Sequence, residues 1–109
     1  MSKKKLREFK LNIYLKNLEA RFTLLEELKL IQSELQRIHF DKQTIIDYDS
    51  CQNVKRLIEK KLIKYANETW ATNYQVSLIA NGIFRIYIAA DSFGSEPEWI
   101  TINILNSDS

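Results

Sequence analysis

Tyr74-Gln75-Val76-Ser77-Leu78-Ile79-Ala80-Asn81-Gly82-Ile83-Phe84-Arg85-Ile86-Tyr87-Ile88-Ala89 decides the fold class. Asn-Gly is the preferred dipeptide of a two-residue type I′ turn, whose positive φ values match the twist of the flanking strands. Both flanks are rich in β-branched and aromatic residues, so Tyr74 to Ala80 and Ile83 to Ala89 are expected to form a hairpin. A two-residue loop pairs Ala80 with Ile83, Ile79 with Phe84 and Ser77 with Ile86. Downstream, residues Asp91 to Pro97 read as a polar, acidic loop, and Trp99 to Leu105 completes a three-stranded antiparallel meander. That register puts Ile79, Phe84, Ile86 and Ile88 on one face, with Ile100, Ile102 and Ile104. The opposite face carries Tyr74, Val76, Leu78, Tyr87 and Trp99. Antiparallel sheets usually leave one face to water, so a second apolar face calls for a helix of its own or a partner.

Upstream of the meander the period changes. From Leu6 to Phe40 there is neither Gly nor Pro. Leu11, Leu15, Leu18, Phe22 and Leu25 step by four and three, and Leu24, Leu28, Ile31, Leu35 and Ile38 repeat that spacing. Such stepping predicts a long amphipathic helix. Its start admits a second reading, because Phe9, Leu11, Ile13 and Leu15 also alternate with Lys10, Asn12, Tyr14 and Lys16. On that reading a strand precedes the helix and Asn17 is the N-cap. The four-three stepping runs through Asn17 unbroken and favours helix throughout.

A second helix is announced by Asp49-Ser50-Cys51-Gln52, which fits a capping box with Asp49 as the cap. Val54, Leu57, Ile58, Leu62, Tyr65 and Ala66 mark its apolar face. Lys55, Arg56, Lys60, Lys61 and Lys64 crowd the other, and the helix is expected to fade between Asn67 and Trp70. The fold class is therefore α+β, with two N-terminal helices packed on a C-terminal antiparallel meander. The 109 residues are expected to form a single domain: a flexible basic tail over 1–5, a helical part over 6–70 and the meander over 74–105.

Composition narrows the chemistry. Gly occurs twice and Pro once, which favours a few long elements and removes Gly-rich phosphate loops and serine nucleophile elbows. Cys51, the only cysteine, can form neither an internal disulfide nor a cysteine-based zinc cage, and a reducing compartment follows. The start has Lys3-Lys4-Lys5 without an apolar run behind it, and no stretch is apolar enough to span a bilayer. A cytoplasmic protein with no membrane partner is the expectation. His39, the only histidine, cannot build a multi-histidine metal site. Asp47-Tyr48-Asp49 after Ile45-Ile46 has the spacing of paired magnesium-binding carboxylates, but the chain is too short for the doubly wound sheet such sites need. No catalytic constellation, cofactor, metal or small-molecule substrate is expected.

Charge is unevenly laid out. Residues 1–64 carry 15 Lys and Arg against 9 Asp and Glu; residues 65–109 carry Arg85 against Glu68, Asp91, Glu96, Glu98 and Asp108. Arg56, Lys60, Lys61 and Lys64 form a ridge that can follow a phosphate backbone, although a lysine-rich solvent face is also how amphipathic helices stay in solution.

With Phe9 to Leu15 taken as a strand, the element order is strand, two helices and three strands. That order, with Tyr74-Gln75-Val76-Ser77-Leu78 and Phe84-Arg85-Ile86-Tyr87 in the hairpin, resembles the small ribosome-dependent RNase toxins of toxin–antitoxin modules. The chain departs from them in the last strand and tail, where Trp99 to Ser109 hold no Arg, Lys or His to handle a phosphodiester. No catalytic residue carries over, and at most a degenerate, binding relative is implied.

The apolar stripe from Leu11 to Ile38 spans about 40 Å of helix, more than a three-stranded sheet and one helix readily cover. Leftover apolar surface points to a small protein-binding module, regulatory or inhibitory, engaging another protein or itself. Its expected contact residues are Tyr74, Tyr87 and Trp99, as aromatics dominate interface hot spots, with Asp91, Glu96 and Glu98 orienting a basic partner. Nucleic-acid binding through Arg56, Lys60, Lys61 and Lys64 is the alternative.

Overall fold

A helix of 36 residues, Lys3–Ile38 (α1), sets the long dimension of the molecule. At 1.5 Å per residue it runs about 54 Å, within a longest extent of 60 Å. The computed structural model describes residues 2–38, 45–70, 73–89 and 96–105. After α1 come the helix Tyr48–Thr69 (α2) and the strands Tyr74–Ala80 (β1), Ile83–Ile88 (β2) and Glu98–Asn103 (β3). The strands form one antiparallel sheet in the order β1-β2-β3, so the architecture is α+β, two helices on a three-stranded meander.

The alternation over Phe9 to Leu15 does not make a strand. Those residues lie inside α1, and Asn17 is a buried mid-helix residue, not a cap. A strand there would need a sheet edge to pair with, whereas the helix satisfies its own backbone. The element order on which the RNase-toxin resemblance rested is therefore absent. The Lys3-Lys4-Lys5 run is likewise the first turn of α1, where the Ser2 Oγ accepts from the Lys5 N–H at 3.2 Å.

The cap of α2 sits two residues earlier than the spacing suggested. Asp47, in extended conformation, accepts from the Ser50 N–H through Oδ1 at 2.7 Å. That bond holds the Asp47 carboxyl below its usual pKa. Asp49 instead lies exposed in the first turn. The helix ends at Trp70 in the left-handed conformation, φ 59°.

The hairpin turn falls at Asn81-Gly82, but its register differs. Ala80 pairs with Ile83 and Leu78 with Phe84, so Ile79 is an extra residue bulged out of β1. The expected pairs Ile79 with Phe84 and Ser77 with Ile86 are replaced by Leu78↔Phe84, Ser77↔Arg85 and Val76↔Ile86. The cause is local. Gly82 has φ +70°, but Asn81 stays at negative φ, which excludes a type I′ turn. Asn81 is held by tertiary contact, its Oδ1 accepting from the Ile46 N–H at 2.9 Å. A Cβ on Gly82 would lie 2.9 Å from Leu105 Cγ, so the turn is also pressed against the segment that follows β3.

A one-residue shift exchanges the faces of a strand. Tyr74, Val76 and Leu78 therefore share the helix-facing side with Ile88, Ile86 and Phe84. The second apolar sheet face expected from the sequence does not exist. On the core side, Val76, Phe84, Ile86, Ile88, Ile102 and Ile104 meet Leu24 and Leu28 of α1 and Val54, Ile58, Leu62 and Tyr65 of α2. The outer face pairs Gln75, Tyr87 and Trp99 on one rung and Ser77, Arg85 and Thr101 on the next.

Candidate interaction surface

The two apolar runs of α1 have different fates. At 100° per residue they lie roughly a third of the circumference apart. Leu24 and Leu28 are buried, and Ile31 and Leu35 pack beside them. Leu11, Leu15, Leu18 and Phe22 stay exposed, at 55%, 51%, 39% and 63%. Leu11 and Leu15 lie on the part of α1 that outruns α2, and Leu18 and Phe22 lie on a face turned away from it. The two helices run antiparallel, with Glu27 Oε2 3.4 Å from Lys61 Nζ and Arg21 bonded to Tyr65. Thr69, the last residue of α2, therefore falls near Asn17, and about 20 Å of α1 extends beyond it.

The exposed run is one end of a single seam. Continuing its four-three steps past Leu25 gives Lys29, Gln32 and Gln36. Gln32 Oε1 accepts from the Asn103 N–H at 2.8 Å, and Gln36 Nε2 donates to the Asn103 carbonyl at 2.6 Å. Both groups of Asn103 point away from β2. Antiparallel alternation sends the backbone groups of Trp99 and Thr101 the same way. The lower half of the seam thus holds the edge of β3 through glutamines, while the upper half is apolar and uncovered. Leu25 joins them in a groove it shares with Lys29, Gln32, Trp99 and Thr101.

At the mouth of this groove sits a buried cation. Arg21, 6% exposed, donates to the Tyr65 hydroxyl through Nε at 2.7 Å. Its Nη1 reaches the Glu96 carbonyl at 2.8 Å and Glu98 Oε1 at 3.3 Å, and its Nη2 reaches the Ala89 carbonyl at 3.4 Å. The one signal in the sequence for Arg21 is its position on the inward side of α1, one turn before Leu24 and two before Leu28.

The residues expected at an interface are only partly brought together. Tyr87 and Trp99 form a ring pair on the outer sheet face, centroids 4.7 Å apart, with the Arg85 guanidinium 4.4 Å over the indole. Tyr74 is half-buried on the opposite, core side. Glu98 is occupied with Arg21, and Glu96 is exposed, its carbonyl held by the same guanidinium. Asp91 and His39 lie outside the described residues. On α2, Lys61 pairs with Glu27, and the Arg56 Nη1 donates to Asn53 Oδ1 at 3.5 Å. Lys60 and Lys64 remain exposed, and the carboxylate of Glu27 engages one of the four ridge cations, Lys61.

Burial pushes the Cys51 thiol above its ordinary pKa, and the Asp47 carboxylate adds to the shift. Among the described residues no three His, Cys, Asp or Glu side chains gather to hold a metal, and no helix is long and apolar enough to cross a membrane. Searches of protein-family models, of curated proteins and of solved structures each return no match.

Proposed function

We propose that this chain is a non-enzymatic protein-binding module, regulatory or inhibitory, that works by forming a protein–protein complex through the overhanging seam of α1. One observation carries the reading. Four large apolar side chains, Leu11, Leu15, Leu18 and Phe22, lie in line on a face of α1 that no other described element covers. A contiguous apolar patch of that kind is characteristic of interaction sites. Trp99, 59% exposed beside the groove at Leu25, extends the surface with an aromatic anchor.

Affinity capture from native lysate, followed by light scattering on the eluate, tests the reading. Leu15→Glu with Leu18→Glu should abolish the complex, and Lys60→Glu with Lys64→Glu should leave it intact. A complex that survives the first pair and is lost with the second, with nucleic acid in the wild-type eluate, overturns the proposal.

A further inference from the structure

We infer that the occupant of the α1 seam is the same seam of a second copy, laid antiparallel to the first. This rests on reading the seam as an interaction surface, and it names the partner. Steps of four and three from Leu11 to Leu25 are the period of a left-handed coiled coil, which a second helix matches along its whole length. The seam is bounded, because Gln32 and Gln36 are already bonded to Asn103. An occupant therefore lies between the start of α1 and about Lys29, a length of about 40 Å. The corresponding stretch of another copy fills that length.

Charge chooses the direction. Residues 3–16 carry six basic residues against Glu8 alone. Residues 17–29 carry Glu19, Glu26 and Glu27, the last paired with Lys61, against Lys29 and the buried, ion-paired Arg21. A parallel pair stacks Lys3, Lys4, Lys5 and Arg7 on their own copies. An antiparallel pair centred between Leu15 and Leu18 sets Leu15 against Leu18 of the second copy and Leu11 against Phe22 of the second copy. At the flanking positions, Lys5 then faces Glu26 of the second copy. The first turn of α1 strengthens the case: it holds lysines and no acidic residue, against the helix dipole. Carboxylates from the second copy offset that repulsion. The arrangement is isologous, each contact occurring twice about a two-fold axis.

Sedimentation of the purified full chain over a wide concentration range is the first test, with a dimer expected. Leu15→Glu with Leu18→Glu should weaken self-association by about 100-fold or more, since both carboxylates would be buried at the axis. Phe9→Ser, on the opposite side of the helix, should leave the dimer in place. Both variants alter exposed positions, and unchanged far-UV circular dichroism verifies the fold. Direction is read by oxidising a mixture of Leu11→Cys and Phe22→Cys chains. Mixed disulfides should dominate, because same-site pairs are about 16 Å apart along an antiparallel pair, beyond disulfide reach. Same-site disulfides in excess overturn the antiparallel arrangement. A dimer unaffected by Leu15→Glu with Leu18→Glu overturns the seam as its site. A monomer at every concentration overturns self-association, while seam-dependent capture of a different protein would leave the broader reading standing.

Discussion

The Arg21 guanidinium donates to the Tyr65 hydroxyl at 2.7 Å and lies over the same ring, 5.3 Å from its centroid. This contact joins α1 to α2, and the remaining nitrogens tie both to the start of β3 and the end of β2. A buried guanidinium is tolerated only when its donors are satisfied. Tyr65→Phe removes one acceptor from a buried charge and should cost about 1–3 kcal/mol in urea unfolding. Arg21→Lys should cost at least as much, since an ammonium cannot reproduce the planar fork. The two changes should be strongly non-additive in a double-mutant cycle, with a coupling of about 0.5–3 kcal/mol. Independent effects would show that the contact is incidental.

The edge of β3 is guarded by side chains, not by another strand. Gln32 and Gln36 take both backbone groups of Asn103. Replacing both with Leu leaves those groups without their partners and should cost about 1–3 kcal/mol. Hydrogen exchange is the sharper measurement. The Asn103 amide should exchange faster in the double variant, while core amides such as that of Ile86 slow or speed only with global stability.

Gly82 is fixed by conformation and by space together. Its φ of +70° disfavours any L side chain, and a Cβ would press 2.9 Å from Leu105 Cγ. Gly82→Ala should lower stability by about 2–3 kcal/mol, seen as a fall in Tm of roughly 8–20 °C for a chain this size. Gly82→Asn, better suited to that φ, still meets Leu105 and should recover only part of the loss.

The hairpin was legible because Asn81-Gly82 is a local signal read from local chemistry. Its register was not, because Asn81 is held by Ile46, 35 positions away in the chain. That contact occurs together with a negative φ at Asn81, the bulge at Ile79 and the core-side placing of Tyr74 and Val76. The apparent second apolar face was a consequence of the missed bulge. Phe9 to Leu15 was ambiguous because a four-residue overlap satisfies both periods, and only the length of the run favours helix. The two apolar runs of α1 were visible as spacing. Which of them packs depends on the face that α1 turns to α2 and the sheet, and that is a tertiary fact. Arg21 was hidden for the same reason, since a single Arg in a basic helix carries no local mark of burial.

The sequence suggests Asp49 as the cap, but it is Asp47 that has the extended backbone and whose carboxylate accepts from the Ser50 N–H. Its pKa is lowered by that bond. A carboxyl with a depressed folded pKa contributes stability above its unfolded value, and loses it as pH falls through the folded one. The acid limb of the stability curve should therefore flatten in Asp47→Asn, which keeps an acceptor oxygen but does not titrate. Asp49→Asn, which removes no cap bond, is the control. Urea midpoints measured from pH 6 down to the acid transition separate the two. A flattened limb in Asp49→Asn, with Asp47→Asn like wild type, would place the cap where the sequence alone suggested it.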